Sequence, residues 1–297
     1  MSSEVTSIQA WDRQHASIKG TGVDIDRPHD PGERMTETHP FTRRVYAVLR
    51  SRFDAVRAKR SDTPRSRVSR LLFILRRASI CAFAFSLALV VCLRWVPPCT
   101  SAVMIGENFE RFFSGKKQGT IRYQWVNWEE ISPSMRLAVV AAEDQLFPHH
   151  KGFDFESMRE AMERQRKGGR LRGASTITQQ VAKNLFLWTG RSYVRKGFEA
   201  YFTILLELLW PKSRILEVYL NIAEFGDGIY GVHAAAETYL RKSPSALTRR
   251  DAALLAAVLP NPKRFKVRNP SSYVRQRGNW IQQQMELLGG VGYLKDL

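Results

Sequence analysis

The chain has 297 residues and a formal net charge of +18, which sets a prior of one or two domains and of anionic partners. An apolar share of 44% with 11% aromatics excludes a wholly disordered protein, and 13 Pro with 19 Gly exclude a collagen-like or low-complexity one. The three cysteines, Cys81, Cys92 and Cys99, show no ligand spacing and support neither a disulfide framework nor a zinc site.

Residues 1 to 70 are polar and basic, rich in Arg, Asp, Ser and Pro, and predict a mostly disordered arm. Ala78 to Leu93 then runs for 16 residues without a charge. At ~1.5 Å per residue this covers about 24 Å, short of a ~30 Å hydrocarbon core, so the flanking arginines and Trp95 must complete the crossing. The transmembrane anchor is accordingly assigned to residues 71 to 97. It lies far from the N-terminus and exits into Arg94-Trp95, which favours an uncleaved anchor over a secretory signal; a buried core helix is the alternative. From Arg43 to Arg77, twelve Lys/Arg stand against Asp54 and Asp62. The positive-inside rule therefore predicts a cytoplasmic arm and an extracytoplasmic segment 98 to 297.

Beyond the anchor the pattern is helical. Ser132-Pro-Ser134 precedes the apolar run Met135 to Asp144, Phe198 to Trp210 carries a broad apolar face ended by Pro211, and Ile215 to Asn221 is a further apolar turn and a half. Thr248 and Asp251 form a capping-box pattern before Ala252 to Leu259, which Pro260-Asn-Pro262 terminates. With no alternating strand series and no internal repeat, residues 98 to 297 predict a compact, mainly α domain.

Glu143 and Asp144 end the apolar run Leu137 to Ala142. Desolvation and the negative end of the helix dipole both raise a carboxyl pKa toward that of a general base; the plain alternative is a surface pair with an arginine. His149 and His150 read as loop hydrogen-bond partners, since no metal-ligand spacing accompanies them. Arg172 to Asn184 (RGASTITQQVAKN) places three hydroxyls before a helix and then Gln179, Gln180 and Lys183 along it, suited either to phosphate and sugar oxygens or to an ordinary cap. Arg191, Arg195 and Lys196 follow, with Glu199 on the same helical face. That glutamate could hold the cations, share a metal with a phosphate, or belong to a solvated ion-pair face.

Glu143-Asp-x-x-Phe147-x-x-His150-x-Gly152, then Arg172 to Asn184, then Arg195-Lys-x-x-Glu199, then Lys212-x-x-Ile-Leu-Glu217-x-Tyr-Leu-Asn221 resemble, in order, the successive motifs of the peptidoglycan glycosyltransferases. The likeness covers about 120 to 297, and its tail, Arg275 to Gly290, is similar to the monofunctional biosynthetic transglycosylases. The resemblance implies a lysozyme-like glycosyltransferase domain that polymerises lipid II into glycan strands and releases undecaprenyl pyrophosphate. It makes Glu143 the general base toward the acceptor's 4-hydroxyl. Lys183, Arg195 and Lys196 match pyrophosphate positions, with Ser175, Gln180 and Asn184 as polar donors. Glu199 matches the second essential glutamate, orienting those cations or a divalent metal, Mg or Mn. Asp144, Phe147, His150, Gly152, Thr176 and Glu217 are supporting positions.

The same likeness implies an inner-membrane, single-pass enzyme with a periplasmic catalytic domain. Its partners would be lipid II, the growing strand, membrane lipid, and cell-wall synthesis or division proteins, with no nucleic acid. Phe112, Phe113, Lys116, Lys117, Trp125, Trp128 and the run Leu185 to Trp188 are expected to hold the domain at the bilayer surface, with core packing as the alternative. Two features depart from the family pattern. The arm is long, and Ser114-Gly-Lys-Lys117 matches an S-x-x-K motif with no K-T-G after it, so no transpeptidase is expected. A lytic transglycosylase or lysozyme-type hydrolase is the rival enzyme; it explains Glu143 and gives the cations no purpose. A membrane-anchored nucleic-acid binder is the rival of another class, and no recognised binding motif supports it.

Overall fold

The structure, a computed structural model, describes residues 40–59, 64–114, 120–168, 175–190 and 192–297. It comprises two compact units, residues 1–75 and 76–297. In the first unit, α1 (Pro40–Lys59) lies within the arm to which composition assigns no fold. Its Ala, Leu and Arg residues are good helix formers, and Val45, Leu49, Phe53 and Val56, all exposed, recur at helical spacing. Residues 1–39 lie outside the described part.

Helix α2 (Pro64–Leu93) contains the uncharged run and begins well ahead of it, while ending at Leu93, four residues before the expected end of the anchor. Among the described residues, Arg67–Leu93 is the one segment long and apolar enough to cross a membrane. Leu71 to Leu75 extend the apolar stretch ahead of Arg76, so at ~1.5 Å per residue the span covers about 40 Å and the shortfall disappears.

In the second unit the end of α2 is fastened where α7 (Tyr193–Leu209) and α8 (Lys212–Ile222) meet. Trp210 Nε1 donates to the Val90 carbonyl at 2.8 Å, and Arg214 Nη2 donates to the Leu93 and Val96 carbonyls at 3.0 and 2.9 Å. The last carbonyls of a helix lack intrahelical partners, and these donors supply them.

Every residue of α8 from Arg214 to Ile222 is buried, which makes it the central helix of the domain. Helix α6 (Ile177–Phe186) packs on α7 and α8, while α4 (Pro133–Glu143) packs on α10 (Arg249–Val258) and α11 (Ser272–Leu287); in the chain, α3 (Ala102–Phe113) precedes α4, α5 (Phe155–Arg166) follows it, and the short α9 (Gly231–Ala235) follows α8. The expected helices all form, with shifted ends: α7 starts at Tyr193, ahead of Phe198, because the Ser192 hydroxyl accepts the Arg195 N–H at 3.1 Å. The Thr248–Asp251 capping box forms at α10. A small sheet not expected from the sequence joins β1 (Arg122–Tyr123), β2 (Glu224–Gly226) and β3 (Ile229–Tyr230) in the order β1-β3-β2. Strands this short carry no legible alternation.

Asn221 is fully buried near the end of α8, and its amide bonds both the N–H and the C=O of Val126 at 2.9 Å. Asn221→Ala strands both backbone groups and opens a void, and is expected to cost about 2–4 kcal/mol. A thermal melt followed by circular dichroism should show a midpoint lower by about 6–12 °C; an unchanged midpoint refutes this role.

Candidate active site

Glu143 is the last residue of α4, and the buried run Leu137 to Ala141 behind it leaves its side chain 14% exposed. It faces a cleft of about 930 Å³ lined also by Ser175, Gln180, Arg264, Tyr273 and Arg277. Gln180 Nε2 donates to Glu143 Oε2 at 3.1 Å, and the buried Tyr219 hydroxyl donates to Gln180 Oε1 at 3.3 Å. With its amide oxygen held by Tyr219, Gln180 turns its nitrogen to Glu143. Arg277 Nη2 lies 3.7 Å from Glu143 Oε1. Burial pushes the Glu143 carboxyl up and the neighbouring Asp144 adds to the rise; Gln180, Arg277 and Lys183 offset part of it, so the net shift is upward.

Asp144 belongs to the frame of the cleft. Its Oδ2 accepts the Ile177 N–H at 2.9 Å and its Oδ1 accepts from His150 Nε2 at 2.9 Å. His150 Nδ1 in turn accepts the Gly152 N–H at 3.1 Å, and the Gly152 carbonyl accepts from Thr176 Oγ1 at 2.7 Å. This chain of bonds fixes the end of α4 to the start of α6. Phe147, fully buried, packs edge-on against His150. Gly152 has φ +82°, and a Cβ there would come within 2.8 Å of Thr203 and Glu207 side-chain carbons, so both conformation and space require glycine.

Of the three hydroxyls before and within α6, Thr176 caps the helix through the Gln179 N–H, and Thr178 donates to Glu207. The ordinary-cap reading therefore holds for Thr176, and Ser175 is the hydroxyl left exposed at the cleft. Residues 172–174 and Arg191 lie outside the described part.

Glu199, 4% exposed on α7, accepts from Arg195 Nη1 at 3.0 Å and from Lys196 Nζ. This burial departs from a solvated ion-pair face. Cations in the first turn of a helix add to the positive end of its dipole, an arrangement suited to an anion rather than to helix stability. Lys183 lies one turn beyond Gln180 on α6, with half-buried Asn184 beside it. Among the described residues its ammonium makes no ion pair within 4.0 Å. Burial pushes Lys183 down, Arg195 and Lys196 push it further, and Glu199 and Glu143 oppose them. Three cations against one carboxylate leave two positive charges next to the base. Glu217 stands apart from the cleft, accepting from the Trp128 N–H and from Arg214 at 2.7 Å each, and so braces α8.

The reading from sequence missed Arg277, Arg264, Tyr273 and Tyr219. Arg277 lies in the tail Arg275 to Gly290 and Tyr219 in Glu217-x-Tyr-Leu-Asn221, but neither run shows what a side chain faces, and Arg264 and Tyr273 lie outside both. The expected interfacial aromatics divide. Phe186 stacks on Phe202 at 4.4 Å between centroids, whereas Trp188 is 52% exposed. Trp125 and Trp128 are partly buried against the core under the Arg214 and Arg136 guanidinium groups, so they do not face outward. Phe112 and Phe113 are exposed, as are Val194, Phe198, Ile204 and Leu208 along α7; Lys116 and Lys117 lie outside the described residues.

A desolvated carboxylate open to a cleft, beside fixed cations, can take a proton from a hydroxyl while an anionic group departs. Comparison with known proteins gives the same direction. Residues 111–286 match the model of the transglycosylase family. A biosynthetic peptidoglycan transglycosylase of Xanthomonas campestris pv. campestris is 50% identical over 242 residues, 82% of this chain and 98% of that protein. One from Xylella fastidiosa is 53% identical over 205 residues, 69% of this chain and 84% of that protein.

Proposed function

Since the chain belongs to the transglycosylase family and is a peptidoglycan glycosyltransferase of cell-wall synthesis, we propose that its cleft joins lipid II to a growing glycan strand as follows. Glu143 removes the proton of the acceptor's 4-hydroxyl, that oxygen bonds to the donor's anomeric carbon, and the bond to the undecaprenyl pyrophosphate breaks. Charge grows on the leaving pyrophosphate, where Lys183, Arg195 and Lys196 receive it. Ser175, Gln180 and Asn184 donate to sugar and phosphate oxygens. Glu199 holds Arg195 and Lys196 together against their mutual repulsion.

The observation that carries this reading is the placement of Glu143 on an open cleft with Lys183 one turn beyond its partner Gln180. A hydrolase acting on a neutral leaving sugar has no use for that cluster. Both oxygens of Glu199 accept from Arg195 and Lys196, so this carboxylate already serves as the counter-charge of two cations. Among the described residues, three carboxylates come within joint ligand reach at Glu107, Glu224 and Asp227, where Arg111 already pairs with Glu107 and Asp227 and Lys263 with Glu107. The charge on the leaving group is therefore assigned to the protein's own cations. Incubation of the purified chain with labelled lipid II should give long glycan strands on a gel, suppressed by moenomycin. Cleavage of preformed glycan with no polymer formed would overturn the reading.

The protein is membrane-associated through its apolar helix. The arrangement proposed is a single pass in the inner membrane, with the arm cytoplasmic and the catalytic domain periplasmic. The exposed apolar face of α7 with Trp188 beside it supports a cleft held at the headgroups, where the lipid-linked pyrophosphate lies. In proteoliposomes of the full chain, bromine-labelled lipid should quench tryptophan fluorescence, and Trp188→Phe should remove part of that quenching. Quenching unchanged by the substitution would place Trp188 in water.

A further inference from the structure

We propose that Arg277, carried on α11, is a positioning residue for the catalytic base: its guanidinium, set beside Glu143 Oε1 without occupying it, holds the carboxylate ionised in the cleft. The proposal rests on the reading of Glu143 as the base and adds a partner from outside the residues assigned to substrate.

The two oxygens of Glu143 are differently placed. Oε2 accepts from Gln180 at 3.1 Å, whereas Oε1 faces Arg277 Nη2 at 3.7 Å, beyond hydrogen-bond range. Arg277 Nη2 is also directed to the Ala142 carbonyl, at 3.4 Å, which keeps the guanidinium beside the end of α4. Oε1 thus feels a full positive charge while its lone pairs stay open to an incoming hydroxyl. A bidentate pair would have occupied them.

The other groups around Glu143 act on it less directly: Arg264 lines the same cleft, but among the described residues the ion pair of Glu143 within 4.0 Å is with Arg277. Glu143 is followed by Asp144 on its own helix end, which adds a second negative charge. From α6 it meets Gln180, neutral, and Lys183, whose pull on the carboxyl is weaker than that of Arg277. From α8 comes Tyr219, whose hydroxyl is engaged by Gln180. The buried residues of α10 are Ala, Leu and Val, and Tyr293 from the C-terminal turn bonds the Gln145 carbonyl. Burial favours the neutral acid, and a neutral acid cannot accept the acceptor's proton. Arg277 is the cation in contact with the carboxylate, and its side chain is half-buried beside it.

The test is the pH dependence of lipid II polymerisation by the full chain in detergent, for wild type, Arg277→Met, Arg277→Gln, Arg277→Lys and Glu143→Gln. The two neutral variants should lower the ratio of the rate at about pH 6 to that at about pH 8.5, by up to about tenfold as the loss of one opposite charge at this range implies, with the difference from wild type narrowing toward the higher pH. Arg277→Lys should restore the ratio. Two neutral variants guard against a folding defect peculiar to one of them. A uniform loss across pH, a wild-type ratio, or Lys behaving as Met would overturn the proposal while Glu143→Gln stays inactive. An active Glu143→Gln would overturn the reading of the base itself.

Discussion

Glu143→Gln is expected to reduce glycan polymerisation by about 10²-fold or more with the thermal midpoint unchanged. The amide keeps the shape of the side chain, and its oxygen can still accept from Gln180 Nε2, so the contact that orients residue 143 survives. What is lost is basicity, and with it the means to take a proton from the acceptor hydroxyl. Burial raises the carboxyl of Glu143, so the wild-type rate should fall on the acid side at a pH above the ordinary glutamate range. The sign is that of a base: ionised and active above this limb, protonated and inactive below it. Whatever residual rate the Gln variant shows should lack the limb. Polymer formed at near wild-type rate would remove Glu143 from the mechanism.

Lys183→Ala is expected to lower turnover by about 10²–10³-fold, with a smaller effect on the Michaelis constant. Among the described residues its ammonium has no fixed ion-pair partner, unlike Arg195 and Lys196, both committed to Glu199. It is therefore free to follow the pyrophosphate as charge develops, and an interaction that strengthens in the transition state appears in turnover. Removing it leaves Arg195 and Lys196 with Glu199, a cluster of one net positive charge facing a dianionic leaving group. Steady-state kinetics with labelled lipid II separate the two constants. A raised Michaelis constant at equal turnover would mean that Lys183 serves only ground-state binding.

The two residues differ in how visible they were beforehand. Lys183 lies in a run, Ser175 to Asn184, whose order of hydroxyls, amides and cation already speaks of an anionic or sugar ligand. Glu143 could equally have been a surface carboxylate at a helix end, and nothing local separates the two. Of the two alternatives open for the hydroxyls, Thr176 takes the cap and Thr178 pairs with Glu207, since the start of α6 must satisfy its own N–H groups before it can serve a ligand.

By itself the sequence determined the helical class, the membrane helix and the order of the motifs. Helix periodicity, caps, uncharged length and residue spacing are properties of contiguous chain and are complete within a few turns. It could not determine where α7 begins, that Trp125 and Trp128 turn inward, that Phe186 and Trp188 part ways, or that the short strands pair. Those outcomes depend on which surfaces meet. The tertiary structure alone decided the environment of Glu143: Gln180 reaches it from 37 residues on, Tyr219 orients Gln180 from the central helix, and Arg277 arrives from the last long helix. The ionisation of a carboxylate is set by desolvation and by charges a few ångströms away in space. Chain folding assembles those neighbours from segments that share no local pattern.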